Sequence, residues 1–235
     1  QTADSGITAA NTIINNEGQS VLYTLKREIT TLNEKAARTE TTVTAYGRAL
    51  GAEEDTTIYR QWTQKVRLLR QEVETLNLTI SNVENVAVTE QSYIGVLIEN
   101  KNIRPDIERI TGELDNIYNT ANNEIKTRRD LADNMLKELD KTMREIKRYV
   151  DEIKRRAAEI APKYESEYNN LVQRRERAEA LFNERKYTMS KEVCEDILID
   201  ALVLKNELTG QISLYPPALP IDTVTAVLSI IVFFL

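Results

Sequence analysis

The chain reads as an all-α protein dominated by coiled-coil helices. Apolar residues recur at a mean spacing of 3.5, the period of a left-handed coil. The composition is 29% charged and 6% aromatic, with seven glycines, which suits long helices and not a sandwich or an α/β enzyme. The last residues, Val224 to Leu235, carry no charge and follow a proline neck, Tyr215-Pro216-Pro217-Ala218-Leu219-Pro220. Together these observations describe a coil, a hinge and the start of a membrane segment.

The first seam runs Val21, Leu25, Ile29, Leu32, Ala36, Thr39, Val43, Tyr46 and Leu50. Gly47, Gly51 and Glu53-Glu54-Asp55 weaken helix after it, so an interruption is expected over 47–57. The second seam, Trp62, Val66, Leu69, Val73, Leu76, Ile80, Val83 and Ala87, puts Trp62 in the core. Ala87 and Ile107 occupy equivalent core positions but lie twenty residues apart, not twenty-one. Something interrupts the coil over 86–105: a turn between antiparallel helices, a stutter, or a short strand over 93–98. Arg104-Pro105 is read as a helix start, because proline fits a first turn.

The third seam is Ile103, Ile107, Ile110, Leu114, Ile117 and Ala121. The fourth is Leu136, Leu139, Met143, Ile146, Val150, Ile153, Ala157 and Ile160. Pro162 marks the next interruption and 183–188 another. The last helix contains Ile197-Leu198-Ile199 and Ala201-Leu202-Val203-Leu204, apolar nearly all round, and so wants neighbours on several sides. Gly210 is expected to end it. The organisation is a rod over 1–210, a neck over 211–223 and a membrane helix starting at 224–235.

Ile103, Ile110 and Ile117 fall at d positions, as do Ile146, Ile153 and Ile160. Isoleucine at d favours trimers or tetramers over parallel dimers. The leading expectation is a parallel homotrimer with Leu69, Val73, Leu76, Ile80, Leu136, Leu139, Met143 and Val150 also in its oligomer core. The alternative is a chain folded back into spectrin-like three-helix repeats.

Lys+Arg 31 against Asp+Glu 37 give a net charge of −6, with no basic surplus for nucleic acid. Histidine is absent, which removes Ser-His and Cys-His nucleophile pairs and most zinc sites. The single cysteine, Cys194, permits no intrachain disulfide and reads as a small half-buried helix residue. Arg128-Arg129, Lys154-Arg155-Arg156 and Arg174-Arg175-Glu176-Arg177 are interleaved with acids, so they read as solvated flanks or ion pairs. Glu159, Glu165 and Glu167 cluster only as this charge density requires. No glycine-rich phosphate loop or metal-ligand spacing occurs, so no enzyme, cofactor or metal is expected. Asn77-Leu78-Thr79 is a glycosylation sequon at Asn77.

A spanning helix needs about 20 largely apolar residues. Pro216 to Leu235 supplies twenty with one charge, Asp222. Val227, Leu228, Ile230, Ile231, Val232, Phe233, Phe234 and Leu235 are its candidate lipid-facing residues. No Lys or Arg follows Lys205, whereas cytoplasmic flanks carry positive charge. The coil is therefore expected on the extracellular side, consistent with a processed start at Gln1; the cytoplasmic side is the alternative.

The stretch Arg175-Glu176-Arg177-Ala178-Glu179-Ala180-Leu181-Phe182-Asn183-Glu184-Arg185-Lys186-Tyr187 resembles a repeat of the septation-ring regulator EzrA, where AExLF…Y opens a spectrin-like hairpin. It covers 13 of the chain's 235 residues. EzrA's membrane helix is N-terminal, so its orientation and division role do not carry over. The whole layout is similar to the membrane-anchored coiled-coil stalks of archaeal surface layers, a likeness of architecture without a shared motif. These resemblances imply a structural stalk holding an S-layer lattice or another surface protein away from the bilayer. The alternative reading is a cytosolic, tail-anchored EzrA- or spectrin-like adaptor that binds a filament or a division or fusion partner. A helical subunit docked through Ile197–Leu204 is a third reading.

Overall fold

The computed structural model describes residues 2–51 and 56–215, with side chains described from Asp4 onward and not at Thr56. Among them are five helices: α1 (Thr2–Leu50), α2 (Thr56–Glu90), α3 (Ile94–Arg156), α4 (Ala161–Asn183) and α5 (Tyr187–Leu214). The chain divides into two compact units, Gln1–Thr127 and Arg128–Leu235, and α3 contributes its first part to one and its last part to the other.

In the first unit α1, α2 and the start of α3 bury one core. It includes Leu25, Ile29, Leu32, Val43, Val66, Leu69, Val73, Ile80, Ile103, Ile110 and Leu114. The ion pairs fix the helix directions. Lys26 meets Glu84 (2.6 Å) and Arg70 meets Glu40 (2.8 Å), so the α1 number rises as the α2 number falls and the two are antiparallel. Arg104 meets Glu28 (3.0 Å) and Lys35 meets Asp115 (2.8 Å), offsets of similar size, so α1 and α3 run parallel. The second unit repeats the plan. Arg175 pairs with Asp140 (2.9 Å) across antiparallel α3 and α4, and Arg174 with Asp200 (2.5 Å) across antiparallel α4 and α5. Lys205 pairs with Glu145 (2.6 Å) across parallel α3 and α5. Its core holds Leu139, Ile146, Val150, Ile153, Leu171, Ala178, Cys194, Ile197 and Leu208.

This arrangement corrects the expected parallel coil of separate chains. The chain folds back on itself, and three consecutive helical stretches supply what three chains were expected to supply. The d-position isoleucines fit either case, because a three-helix core offers the same wide packing geometry whether its helices are joined or not.

The corners explain the reversals. Gly51, at φ 82°, follows the last residue of α1 in the left-handed conformation that glycine adopts without strain. At the α2–α3 corner Gln91 takes the left-handed position (φ 53°), and the Ser92 N–H donates to the Ala87 carbonyl (3.1 Å). That six-to-one bond is the signature of a Schellman cap. The α4–α5 corner repeats it: Arg185 has φ 63°, Lys186 N–H donates to Leu181 O (2.9 Å) and Arg185 N–H to Phe182 O (2.9 Å). Of the readings open for 86–105, the antiparallel turn is the one found, and residues 94–98 are helical.

Two expected boundaries move. Pro105 does not start a helix; it lies inside α3, which begins at Ile94. The lost backbone bond costs about 3 kcal/mol in an isolated helix. Buried Ile103, Ile107 and Ile110 on both sides of it offset that cost through the core. Gly210 does not end α5, which continues to Leu214. Pro162 sits in the first turn of α4, where its missing N–H costs nothing.

Among the described residues no helix is long and apolar enough to cross a membrane. The prolines of the neck and the candidate membrane residues 227–235 lie outside the described residues.

Candidate functional site

The residues expected to form an oligomer core lie inside the chain's own cores. Leu69, Val73, Leu76 and Ile80 on α2, and Ile103, Ile110 and Ile117 on α3, are buried in the first unit. Leu136, Leu139, Met143, Ile146, Val150 and Ile153 are buried in the second, where Ile160 packs half-buried in the α3–α4 turn. Trp62 is half-buried, tilted against Tyr46 with ring centroids 5.0 Å apart. Asn77 is exposed in the middle of α2.

Cys194 is fully buried, more than its expected half-burial, and desolvation pushes its thiol up to about 11. A thiol held neutral and closed off from solvent is a packing residue rather than a nucleophile.

Cations of the basic clusters pair with acids both across helices and along their own. Arg175 bridges Asp140 and Glu179, and Arg174 bridges Asp200. Arg128 donates to the Thr188 hydroxyl (2.9 Å). Arg109 bonds Glu72, Glu113 and Asp106, and those carboxylates hold its guanidinium proton more tightly than usual. Lys65, and after it Arg109, hold the Glu113 carboxyl below the ordinary carboxylate range. Glu165, from the acidic cluster, pairs with Lys154 (2.7 Å).

Two grooves carry on their walls a cation that is already paired with an acid. One between α4 and α5, about 420 Å³, is lined by Asn170, Leu171, Arg174, Asp200, Val203 and Glu207. Its cation is already paired with its acid. One between α1 and α2, about 360 Å³, includes Arg70 paired with Glu40. Among the described residues no group of three His, Cys, Asp or Glu is placed to hold a metal ion.

Two constellations escaped sequence reasoning. On α1, the Asn15 amide donates to the Gln91 carbonyl (3.2 Å) and accepts from the Tyr93 N–H (3.1 Å), clamping the α2–α3 corner. Gly18 makes room for that corner, since a Cβ there would stand 2.3 Å from Tyr93 Cβ. In the second unit Arg156, held by Glu152 (2.5 Å), donates to the carbonyls of Tyr215 (3.1 Å) and Ile212 (3.4 Å). A cation on the last carbonyls of a helix satisfies unpaired acceptors and complements the negative end of the helix dipole. This clamp fastens the end of α5, immediately before Pro216, to α3.

On α5, Ile197, Ala201 and Leu204 are buried, whereas Ile199 (63% exposed), Leu202 (45%) and Val203 (56%) face outward. Comparisons with protein families, curated proteins and solved structures return no match.

Proposed function

We propose that the protein is a non-enzymatic helical scaffold tethered to a bilayer by its C-terminal apolar run. Its three-helix units would hold a lattice or another surface protein away from the membrane. The observation that carries this reading is the Arg156 clamp. It ties Tyr215, the residue that leads into the proline neck, to α3 through charge-assisted hydrogen bonds. A tether joined at that point pulls on the folded body rather than on a fraying helix end. The pairing of cations with acids across helices supports a structural role over a catalytic one.

The outer face of the membrane is favoured by the absence of Lys and Arg after Lys205 and by the sequon at Asn77. The folded-back units equally suit the second reading, a tail-anchored adaptor on the cytoplasmic side.

Flotation with phosphatidylcholine–phosphatidylglycerol vesicles tests the tether. The full chain is expected to float, and a chain ending at Tyr215 to stay at the bottom with its helix content intact. Flotation of the shortened chain, or sedimentation of the full one, overturns the reading. Side is decided by an impermeant thiol reagent on intact cells. Cys194 is buried, so the reporter is Thr209→Cys in a Cys194→Ala background: modification places the units outside, protection inside.

A further inference from the structure

The first unit carries a helical extension that stands exposed beyond the α2–α3 corner. Asn15 and Gly18 contact the α2–α3 corner, and α1 runs on N-terminally over residues 2–14. Residues 4–13 are all exposed, Ile7 by 62% and Ile13 by 65%. In a chain that is 29% charged this stretch holds a single charge, Asp4. Its apolar positions, Ala3, Ile7, Ala10 and Ile14, keep coiled-coil spacing and lead into buried Gly18 and Leu22, so the stripe continues the core seam. The same end of the unit exposes Val86, Val88, Ile94 and Ile98, with Glu90 the lone charge between residues 86 and 98.

The heptad seams are used up inside the chain, so self-association needs another face. The extension supplies one whose pattern is complementary to itself. Laid antiparallel about a two-fold axis, residues whose numbers sum to 17 face each other. Ile7 then opposes Ala10, and Ile14 opposes position 3, an alanine in the sequence. Large side chains meet small ones at every core position, as close packing requires. A parallel pair would set isoleucine on isoleucine and alanine on alanine, and would bring the two Asp4 carboxylates together. In the antiparallel pair Asp4 faces Ile13. The extension is about 20 Å long at about 1.5 Å per residue. Its start would therefore reach the partner's exposed corner.

We infer that residues 2–14 of α1 pair antiparallel with the same segment of a second copy, giving a two-fold dimer joined through the first units. The contact is isologous, each patch serving as its own complement. An interface this small makes the dimer reversible and concentration-dependent.

Sedimentation equilibrium of the full chain in density-matched detergent tests this. Every variant keeps the same apolar C-terminus, so association through the tail cannot imitate the effect. The full chain is expected to dimerise reversibly, and Ile7→Asp to weaken the dimer at least about tenfold. Ala10→Ile alone sets isoleucine against isoleucine and should weaken it too. The double variant Ile7→Ala/Ala10→Ile restores large-on-small pairing and should restore the dimer. These positions are exposed, so circular dichroism is expected to stay unchanged. A monomer at all concentrations, indifference to Ile7→Asp, or failure of the double variant to recover overturns the inference and assigns the face to a different partner.

Discussion

The two units reach the same three-helix plan with different chemistry at their corners. The first closes by removing side chains: Gly18 and Gly47 stand where a Cβ would meet Tyr93 at 2.3 Å and the Tyr59 ring at 2.5 Å. The Asn15 amide then clamps the backbone brought so near. The second unit's one glycine, Gly210, has open space around it. That unit closes by adding groups: Arg156 on the end of α5, Phe182 tilted on Tyr187 at 5.2 Å, and the Ser190 hydroxyl donating to Ala178 O at 2.8 Å. Each core also holds small polar or thiol groups that cost little. Thr39 is fully buried but bonds Lys35 O (2.9 Å), and Cys194 is buried as a weak donor. A heptad seam sets which faces meet, and the corners set how closely.

The largest effects should be shared by the two units. Leu69→Ala and Leu139→Ala each remove a fully buried side chain, one from each core. Each is expected to cost about 2–5 kcal/mol in denaturant unfolding. A loss below 1 kcal/mol at either would place that seam outside a core.

Glycine replacements should split the units. Gly18→Ala forces its Cβ into Tyr93 and is expected to destabilise by about 1–3 kcal/mol. Gly210→Ala meets nothing and removes a helix-interior glycine, so it should stabilise by up to about 1 kcal/mol. Thermal melts of both variants give the signs, and equal signs would erase the contrast.

The left-handed corners should unite them again. Gln91→Gly and Arg185→Gly relieve a conformation that side chains resist. Each should stabilise by about 0.5–1 kcal/mol, as urea midpoints would register. A loss at either position would mean its side chain contributes more than its backbone costs.

The smallest effect is titration at Glu113 in the first unit. Lys65 and Arg109 depress its folded pKa. Its contribution is therefore present above the unfolded value of about 4.3 and disappears as pH falls through the lower folded value. The pair is partly exposed, so the change should stay under about 1 kcal/mol. Urea midpoints taken between pH 5 and 2 should fall more for the wild type than for Glu113→Gln; parallel curves would remove the assignment.

Helix type and core faces were readable from sequence because a period of 3.5 records burial directly. Direction was not. Ile146 and Ile153 pack the same way in a folded-back core as in a three-chain coil, so the seam is silent on which helices meet. Corners were half readable. Gly51 carries the usual signal, but Gln91 and Arg185 take left-handed positions that nothing in their side chains announces. Pro105 and Gly210 misled because core burial overrides local preference in a long helix. The Asn15 and Arg156 clamps join residues 76 and 59 positions apart, beyond any local pattern.

The central claim is that the seams close within one chain. Electron–electron distance measurement between spin labels at Lys26→Cys and Glu84→Cys, in a Cys194→Ala background, tests it most directly. The wild-type side chains at these positions meet at 2.6 Å. The account predicts a label separation on the order of 20 Å that survives dilution with unlabelled chain. In one continuous helical coil the same two positions would stand about 87 Å apart at about 1.5 Å per residue. An intrachain distance of that size, or a short distance lost on dilution, would contradict it.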